Sequence, residues 1–404
     1  MKRAAWFLLI LLLLLGAFAG CGTSTLPTAP STEATEKTTE SAAAGTTQAE
    51  TAPTTVELTE EETEPESSTE IRIETEPDYA EGQIFLYGEI HADAYCLEKE
   101  LAFWGGFYAR GSRHLFIESE YFSAAYLNLW MQADNDDILE MLFKDNVGTN
   151  AHSTKVMDFY RAIKERYPET VFHGTDIGHK YATTGARYLR YLEEAGLKDS
   201  EEYQRTETIQ QQGKTFYEKL TDREATKYRE NCMVENFIWT YEQLPANETI
   251  MGIYGGGHTD REGTNSAGTE DTLAKQLAAY YGDRLHIRDL YLRDPIRIDQ
   301  MQINGKTYTA TYFGCYETEN ARAKIQRIDF WRLEDAYEDF ASIPATDDFE
   351  NSREFPFEVT AGQVIVAENT LRNTTVERIY YRADGDVKNG KTIVWIIKLD
   401  EPSD

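Results

Sequence analysis

Ile84-Phe85-Leu86-Tyr87-Gly88-Glu89-Ile90-His91 decides how this chain is read. Four apolar residues make a run of strand length, and it stops at a glycine followed by an acid and an imidazole. A second run, Thr249–Tyr254, stops in the same way at Gly255-Gly256-Gly257-His258. Between the two, His114-Leu115-Phe116-Ile117 ends in Glu118-Ser119-Glu120, and Thr170-Val171-Phe172-His173 ends in Gly174-Thr175-Asp176. Arg284–Leu290 reads as a fifth strand.

Segments of helical periodicity separate these runs: Ala94 to Ala109, Ser123 to Gln132, Asp136 to Phe143, Ser153 to Arg166, Thr184–Glu194, Glu201–Leu220 and Glu270–Tyr281. Thr221-Asp222-Arg223-Glu224 is a capping box for a further helix that runs to Gln243, with Pro245 just beyond. Alternating strands and helices predict an α/β fold, a mostly parallel central sheet flanked by helices. In such a sheet the carboxyl ends of all strands share one edge, where ligands bind. Glu89, His91, Glu118, Glu120, Asp176 and His258 are therefore expected near one cleft. Glu89 and His91 are two apart, so in extended backbone they face the same way.

Outward from this core the texture changes twice. Beyond about Asp294, Ile303-Asn304-Gly305-Lys306-Thr307-Tyr308 reads as a hairpin with an Asn-Gly turn, and Val364–Val366, Arg378–Tyr381 and Thr392–Leu399 are β-like. Residues 296–404 are thus expected to form a small β-rich C-terminal region without a catalytic constellation. On the other side, residues 21–80 are rich in Thr, Glu, Ser, Ala and Pro, and too poor in apolar groups to fold. They predict a disordered tether. Residues 1–20 combine a basic start with the apolar run Trp6–Leu15, too short to span a bilayer, and end in Ala19-Gly20 before Cys21. This resembles a bacterial lipoprotein signal. It implies a lipid on Cys21 and an extracytoplasmic protein anchored to the cell membrane.

Composition narrows the partners. The 404-residue chain carries a formal net charge of -30, which argues against nucleic acid as a partner, because its phosphates require clustered Lys and Arg. Cys96, Cys232 and Cys315 remain after Cys21, at no framework spacing, and read as buried free thiols rather than disulfides or a zinc ribbon.

The convergent groups suit hydrolysis. A carboxylate beside an imidazole orients it and raises its basicity, and the imidazole then takes a proton from water. The glycines before His258 let backbone N–H groups approach a substrate or a developing oxyanion. The same side chains also make a plausible divalent-metal site with an open position, and spacing alone does not separate the two. His114, at the opposite edge, with His152, His286 and His179, reads as structural. Asp176 reads as a helix cap and His173 as a hydrogen-bonded core imidazole.

At these residues the chain resembles the broad superfamily of erythromycin esterases, ChaN-type haem-binding lipoproteins and Tiki/TraB proteins. The resemblance rests on Gly88-Glu89-Ile90-His91, Phe116–Glu120, His173-Gly174-Thr175-Asp176, the stretch Arg229–Asn236 and Gly255-Gly256-Gly257-His258, within residues 81–295. Ala92 stands where the esterases usually have glycine. The resemblance implies His91 as general base or metal ligand, Glu89 and Glu118 as groups that orient it or bind the metal, His258 as a second acid/base or ligand, and Arg229 as a stabiliser of negative charge. A metal set would be His91, Glu118 and His258. The activity implied is hydrolysis of an ester, lactone or amide bond in a small molecule or peptide. The alternative implied is a haem- or metal-binding lipoprotein without catalytic activity.

Overall fold

The computed structural model of the protein describes residues 80–399, apart from 262, 266–267 and 389–390. The expected signal, Cys21 and the tether up to residue 79 lie outside the described residues.

Five strands form a parallel sheet: β1 (Ile84–Glu89), β2 (His114–Glu120), β3 (Val171–Asp176), β4 (Ile250–Gly255) and β5 (Leu285–Asp289), in the order β3-β2-β4-β1-β5. β1 and β4 are buried along their whole length, as continuous apolar runs must be when helices cover both faces of a sheet. Alternation along β1 divides the core. Phe85 and Tyr87 face one layer, with Phe103, Trp104 and Phe107 of helix α1 (Ala94–Ala109). Helices α2 (Tyr121–Met131), α3 (Asp137–Asp145) and α4 (Thr154–Arg166) complete that layer. Ile84 and Leu86 face the other, with Met233, Phe237 and Tyr241. Helices α5 (Ala186–Glu194) and α6 (Glu201–Lys219) precede α7 (Asp222–Tyr241), which supplies those three residues. The Thr221–Glu224 capping box opens α7 as expected. α8 (Leu273–Tyr281) completes the second layer.

The strand order creates a switch point. From β1 the chain crosses over β4 to reach β2, whereas from β4 it crosses over β1 to reach β5. The loops after β1 and β4 therefore leave in opposite directions and open a crevice between adjacent strand ends. Glu89 pairs in register with Gly255, so both Gly-x-x-His segments emerge side by side there.

The C-terminal region is a second, antiparallel sheet, ordered β12-β13-β11-β10-β8-β7-β6, with β9 paired to β13. Its strands are β6 (Arg297–Ile303), β7 (Lys306–Glu317), β8 (Ile325–Leu333), β9 (Ala345–Asn351), β10 (Gln363–Leu371), β11 (Val376–Ala383), β12 (Val387–Lys388) and β13 (Lys391–Ile397). Asn304 and Gly305, both at positive φ, make the expected tight turn between β6 and β7. This sheet packs against the carboxyl edge of the parallel one. Ile90 joins its apolar cluster, Arg293 binds Asp93 at 2.6 Å, and Arg353 binds Asp289 at 2.9 Å. Cys96 and Cys232 are buried free thiols, and Cys315 is only half-buried.

Gly88 marks where the two loops press together. A Cβ there would collide with Thr259 Oγ1 and Asp289 Oδ1 and lie 3.3 Å from Gly256 Cα. Gly88→Ala should cost about 1–3 kcal/mol in urea unfolding. Gly106 in α1, where a Cβ would meet nothing within 4 Å, is the control. Gly106→Ala should stabilise by about 0.5–1 kcal/mol.

Candidate active site

The strand ends deliver a chain of alternating charges. Glu89 Oε1 lies 2.6 Å from His91 Nδ1, and His91 Nε2 lies 3.6 Å from Glu118 Oε1. The same oxygen lies 3.4 Å from His258 Nε2. His258 Nδ1 is 2.9 Å from Glu230 Oε2. Each imidazole thus sits between two carboxylates, and Glu118 is common to both. Arg229 donates to Glu118 Oε1 at 2.6 Å and to Asp176 Oδ2 at 2.7 Å, while Gly255 N–H donates to Glu118 Oε2 at 2.6 Å. All five sequence-expected site residues, Glu89, His91, Glu118, Arg229 and His258, meet in this cluster.

Local structure explains the aim of each group. Between Ile117 and Glu120 the pairing of β2 with β3 shifts register, a bulge that interrupts strict alternation at Glu118. Gly174 allows this, since a Cβ there would run into the backbone of Ser119 and Glu120. Glu120 is therefore not a partner of the imidazoles. It accepts from Ser123 Oγ at 2.7 Å and from the Lys180 N–H at 3.1 Å. Ala92, directly after His91, has φ +63°, the left-handed region that favours glycine. The peptide turns there, straight after the imidazole.

The glycines before His258 do less than expected. Gly255 N–H is taken by Glu118, and Gly256 N–H by the Glu89 carbonyl at 2.8 Å. Only Gly257 is exposed and has open space where a side chain would be.

Charge pairing overrules burial throughout the cluster. Burial works to neutralise His91, but Glu118 and Glu89 outweigh it and hold its pKa well above the ordinary histidine value. Burial likewise opposes the charge on His258, and Glu230 and Glu118 push its pKa up to about 10. Burial would raise Glu118, yet His258 and His91 hold it well below the usual carboxylate range. Asp176 is held low against burial by Arg229 and His179.

Several members were missed or misread from sequence. Asp176 caps no helix: it accepts from the adjacent Ile177 N–H, grips Arg229 and lies 3.0 Å from His179 Nε2. His179 is therefore part of the network, with Nδ1 at 2.5 Å from Tyr217 Oη. Glu230 is 1% exposed and was legible as an acid on the apolar stripe of α7, at helical spacing from Met233 and Phe237. Glu100 carries the same signal in α1, beside Leu97 and Trp104. Burial, and then the Glu89 carboxylate to which it is hydrogen-bonded, raise Glu100 well above the usual range. It stands behind Glu89, and its Oε1 has no hydrogen-bond partner. His114 and His173 pair with each other at 2.8 Å at the opposite edge, and burial lowers His173 to about 3, the neutral structural imidazole expected there.

A metal does not fit these residues. A divalent ion at Glu118 Oε1 would face the Arg229 guanidinium, which donates to that oxygen at 2.6 Å. Among the described residues, no group of three or more His, Cys, Asp or Glu is arranged to hold a metal ion. His91, Glu118 and His258 come together as a charge-paired cluster in which the Arg229 guanidinium already occupies the shared Glu118 oxygen.

No family model matches the chain, and no curated protein matches it. Three solved structures do. One is a Bacillus cereus protein, 17% identical, TM-score 0.35, covering 52% of this chain, which spans 65% of that protein's length. Another is a mutant of the erythromycin esterase EreC in its open conformation, 11% identical, TM-score 0.39, covering 62% of this chain and 82% of that one. A succinoglycan biosynthesis protein is 11% identical, TM-score 0.38, covering 60% and 78%. The fold and cluster define an α/β protein with a carboxylate-bridged histidine pair at its switch point.

The His258–Glu230 pair makes a linkage prediction. His258 binds its proton more tightly folded, at about 10 against an ordinary 6.5. Its contribution to stability is therefore complete below pH 6.5 and lost as pH rises through 10. Glu230→Gln should cost about 3–5 kcal/mol near neutral pH by urea unfolding. It should also flatten the decline in stability between neutral and alkaline pH.

Proposed function

We propose that the cluster is the active site of a hydrolase acting on an ester, lactone or amide bond in a small molecule or peptide. One observation carries the reading: two imidazole Nε2 atoms face a single Glu118 oxygen at the switch point, each with a second carboxylate at its Nδ1. This is the geometry of a matched base and acid on either side of one spot.

His91 is the base. Its side chain is the more exposed of the two imidazoles, 27% against 16%, and it stands farther from Glu118. Glu89 holds its Nδ1, so Nε2 exchanges the proton with water. His258 is the acid. At a pKa of about 10 it is charged at neutral pH and able to protonate an alkoxide or amine as the bond breaks. Glu118 and Arg229 keep the two imidazoles apart and charge-balanced. A pocket of about 140 Å³ adjoins Glu118 and Asp176, walled by Leu127, Leu139 and Leu142. It supplies apolar surface for the substrate. On this reading residues 81–295 carry the chemistry. The lipid on Cys21 and the tether of residues 21–80 hold the enzyme outside the cytoplasmic membrane.

The test is a panel of p-nitrophenyl esters, lactones and short peptides with the purified protein. His91→Ala and His258→Ala should each lower kcat/KM by about 10²–10⁴ on whichever substrate is accepted. Full activity in both variants would end the assignment. Because a base acts only when deprotonated, and His91 is held protonated, kcat/KM should climb as pH rises above neutral. Glu89→Gln removes one of the charges that hold that proton and should move the climb to lower pH.

A further inference from the structure

A second cavity, about 50 Å³, is lined in part by His91. That is room for about three or four waters. Ile90 and His91 line it from the parallel sheet, and the C-terminal sheet supplies most of the rest. Its floor follows from strand register. Ile328 is paired with Tyr316 on one side and Asn369 on the other, and the neighbouring row pairs Phe330 with Ala367. Side chains two apart share a face, so this is one apolar surface.

Two polar atoms break that surface. Asn369 is 2% exposed and its Oδ1 has no hydrogen-bond partner. Tyr316 is 8% exposed and its Oη has none. They flank Ile328 in a single cross-strand row that lines the cavity. A buried oxygen left unpaired is costly, and a core position could be filled by an apolar residue instead. A ligand that bonds to these atoms would remove the cost.

The rest of the lining says what kind of ligand. The lining carries three carboxyl groups, Glu317, Glu350 and Glu354, against one cationic side chain, His91, and among the described lining residues there is no Lys or Arg. Glu317 is already paired with Lys155 and Arg327. Burial, with Glu354 and Asp348 close by, pushes the Glu350 carboxyl up to about 7, so the cavity favours added positive charge. An alkylammonium group brings three donors and one charge. For these donors the lining offers Asn369 Oδ1, Tyr316 Oη and the Glu350 carboxyl as acceptors, and for the stem it offers Phe330, Phe355 and Ile328.

We infer that this cavity is a subsite for a primary ammonium group on an apolar skeleton, built by the C-terminal sheet beside His91. A molecule held there by its ammonium end presents the remainder to the imidazole. The substrate class is then an amine-bearing, largely apolar ester, lactone or amide. That last step rests on the hydrolase reading, whereas ammonium binding does not.

The probe is n-butylammonium chloride, with n-butanol and sodium butyrate as same-length controls, at fixed ionic strength. Binding to the full-length protein is read by ligand-observed NMR. Butylammonium should bind at least tenfold more tightly than butanol, and butyrate should show no binding. Asn369→Leu and Glu350→Gln should each weaken butylammonium roughly tenfold, as expected for a lost bond to a charged group. Asn369→Leu should unfold at a temperature no lower than the native protein, since it removes an unpaired buried oxygen. If it fails to fold, Glu350→Gln carries the binding test alone and the stability expectation is overturned. Equal affinity for butylammonium and butanol would overturn the subsite, as would native affinity in Glu350→Gln. Ester turnover by the native protein without ammonium preference removes the subsite and leaves the hydrolase. Ammonium preference without turnover of any ester, lactone or peptide leaves the subsite and removes the hydrolase.

Discussion

A carboxylate taken out of water is unstable unless cations and N–H groups replace the lost hydration. Glu118 meets that condition through Arg229, the Gly255 N–H and the two imidazoles. The requirement runs both ways. His91 and His258 stay charged in a buried place only because each has a carboxylate on either side. Arg229 is fixed in turn by Asp176. Removing Glu118 would leave three cationic groups facing one another. The site is better described as a single charge-balanced lattice than as a list of catalytic residues.

Topology makes the lattice possible. Its members come from the ends of β1, β2, β3 and β4 and from one turn of α7, and of these elements only α7 and β4 follow one another directly in sequence. What unites them is the reversal of crossover direction between β1 and β4. The tight approach at Gly88 and the bulge beside Gly174 then set side-chain aim. The antiparallel sheet meets this same edge through Arg293–Asp93 and Arg353–Asp289, so the C-terminal region walls the crevice instead of standing apart from it.

Much of this was legible before the structure. β1 and β4 are apolar runs with abrupt polar ends, and a buried parallel strand has little freedom to look otherwise. Strand ends on one edge then brought Glu89, His91, Glu118 and His258 together in prospect. Glu230 and Glu100 were harder, because an acid on an apolar helical stripe announces burial but not its partner. Asp176 looked like a helix cap, but no helix starts at it and its carboxylate instead holds Arg229 and His179. The three glycines suggested a free set of N–H donors, but two of those donors stabilise the site's own acceptors. The docking of the C-terminal sheet was not legible at all. Its strands advertise β-structure through alternation, yet nothing in a strand's own pattern names the surface it will cover. The pairing of Asn369, Ile328 and Tyr316 into one row depends on register across three strands.

The claim on which the rest stands is that carboxylates on both sides hold the two imidazoles charged. NMR titration of the His91 and His258 rings in the native protein tests it directly. The account predicts that His258 keeps its proton to about pH 10 and that His91 also titrates well above the ordinary histidine value. Two rings that titrate independently near 6.5 would contradict it.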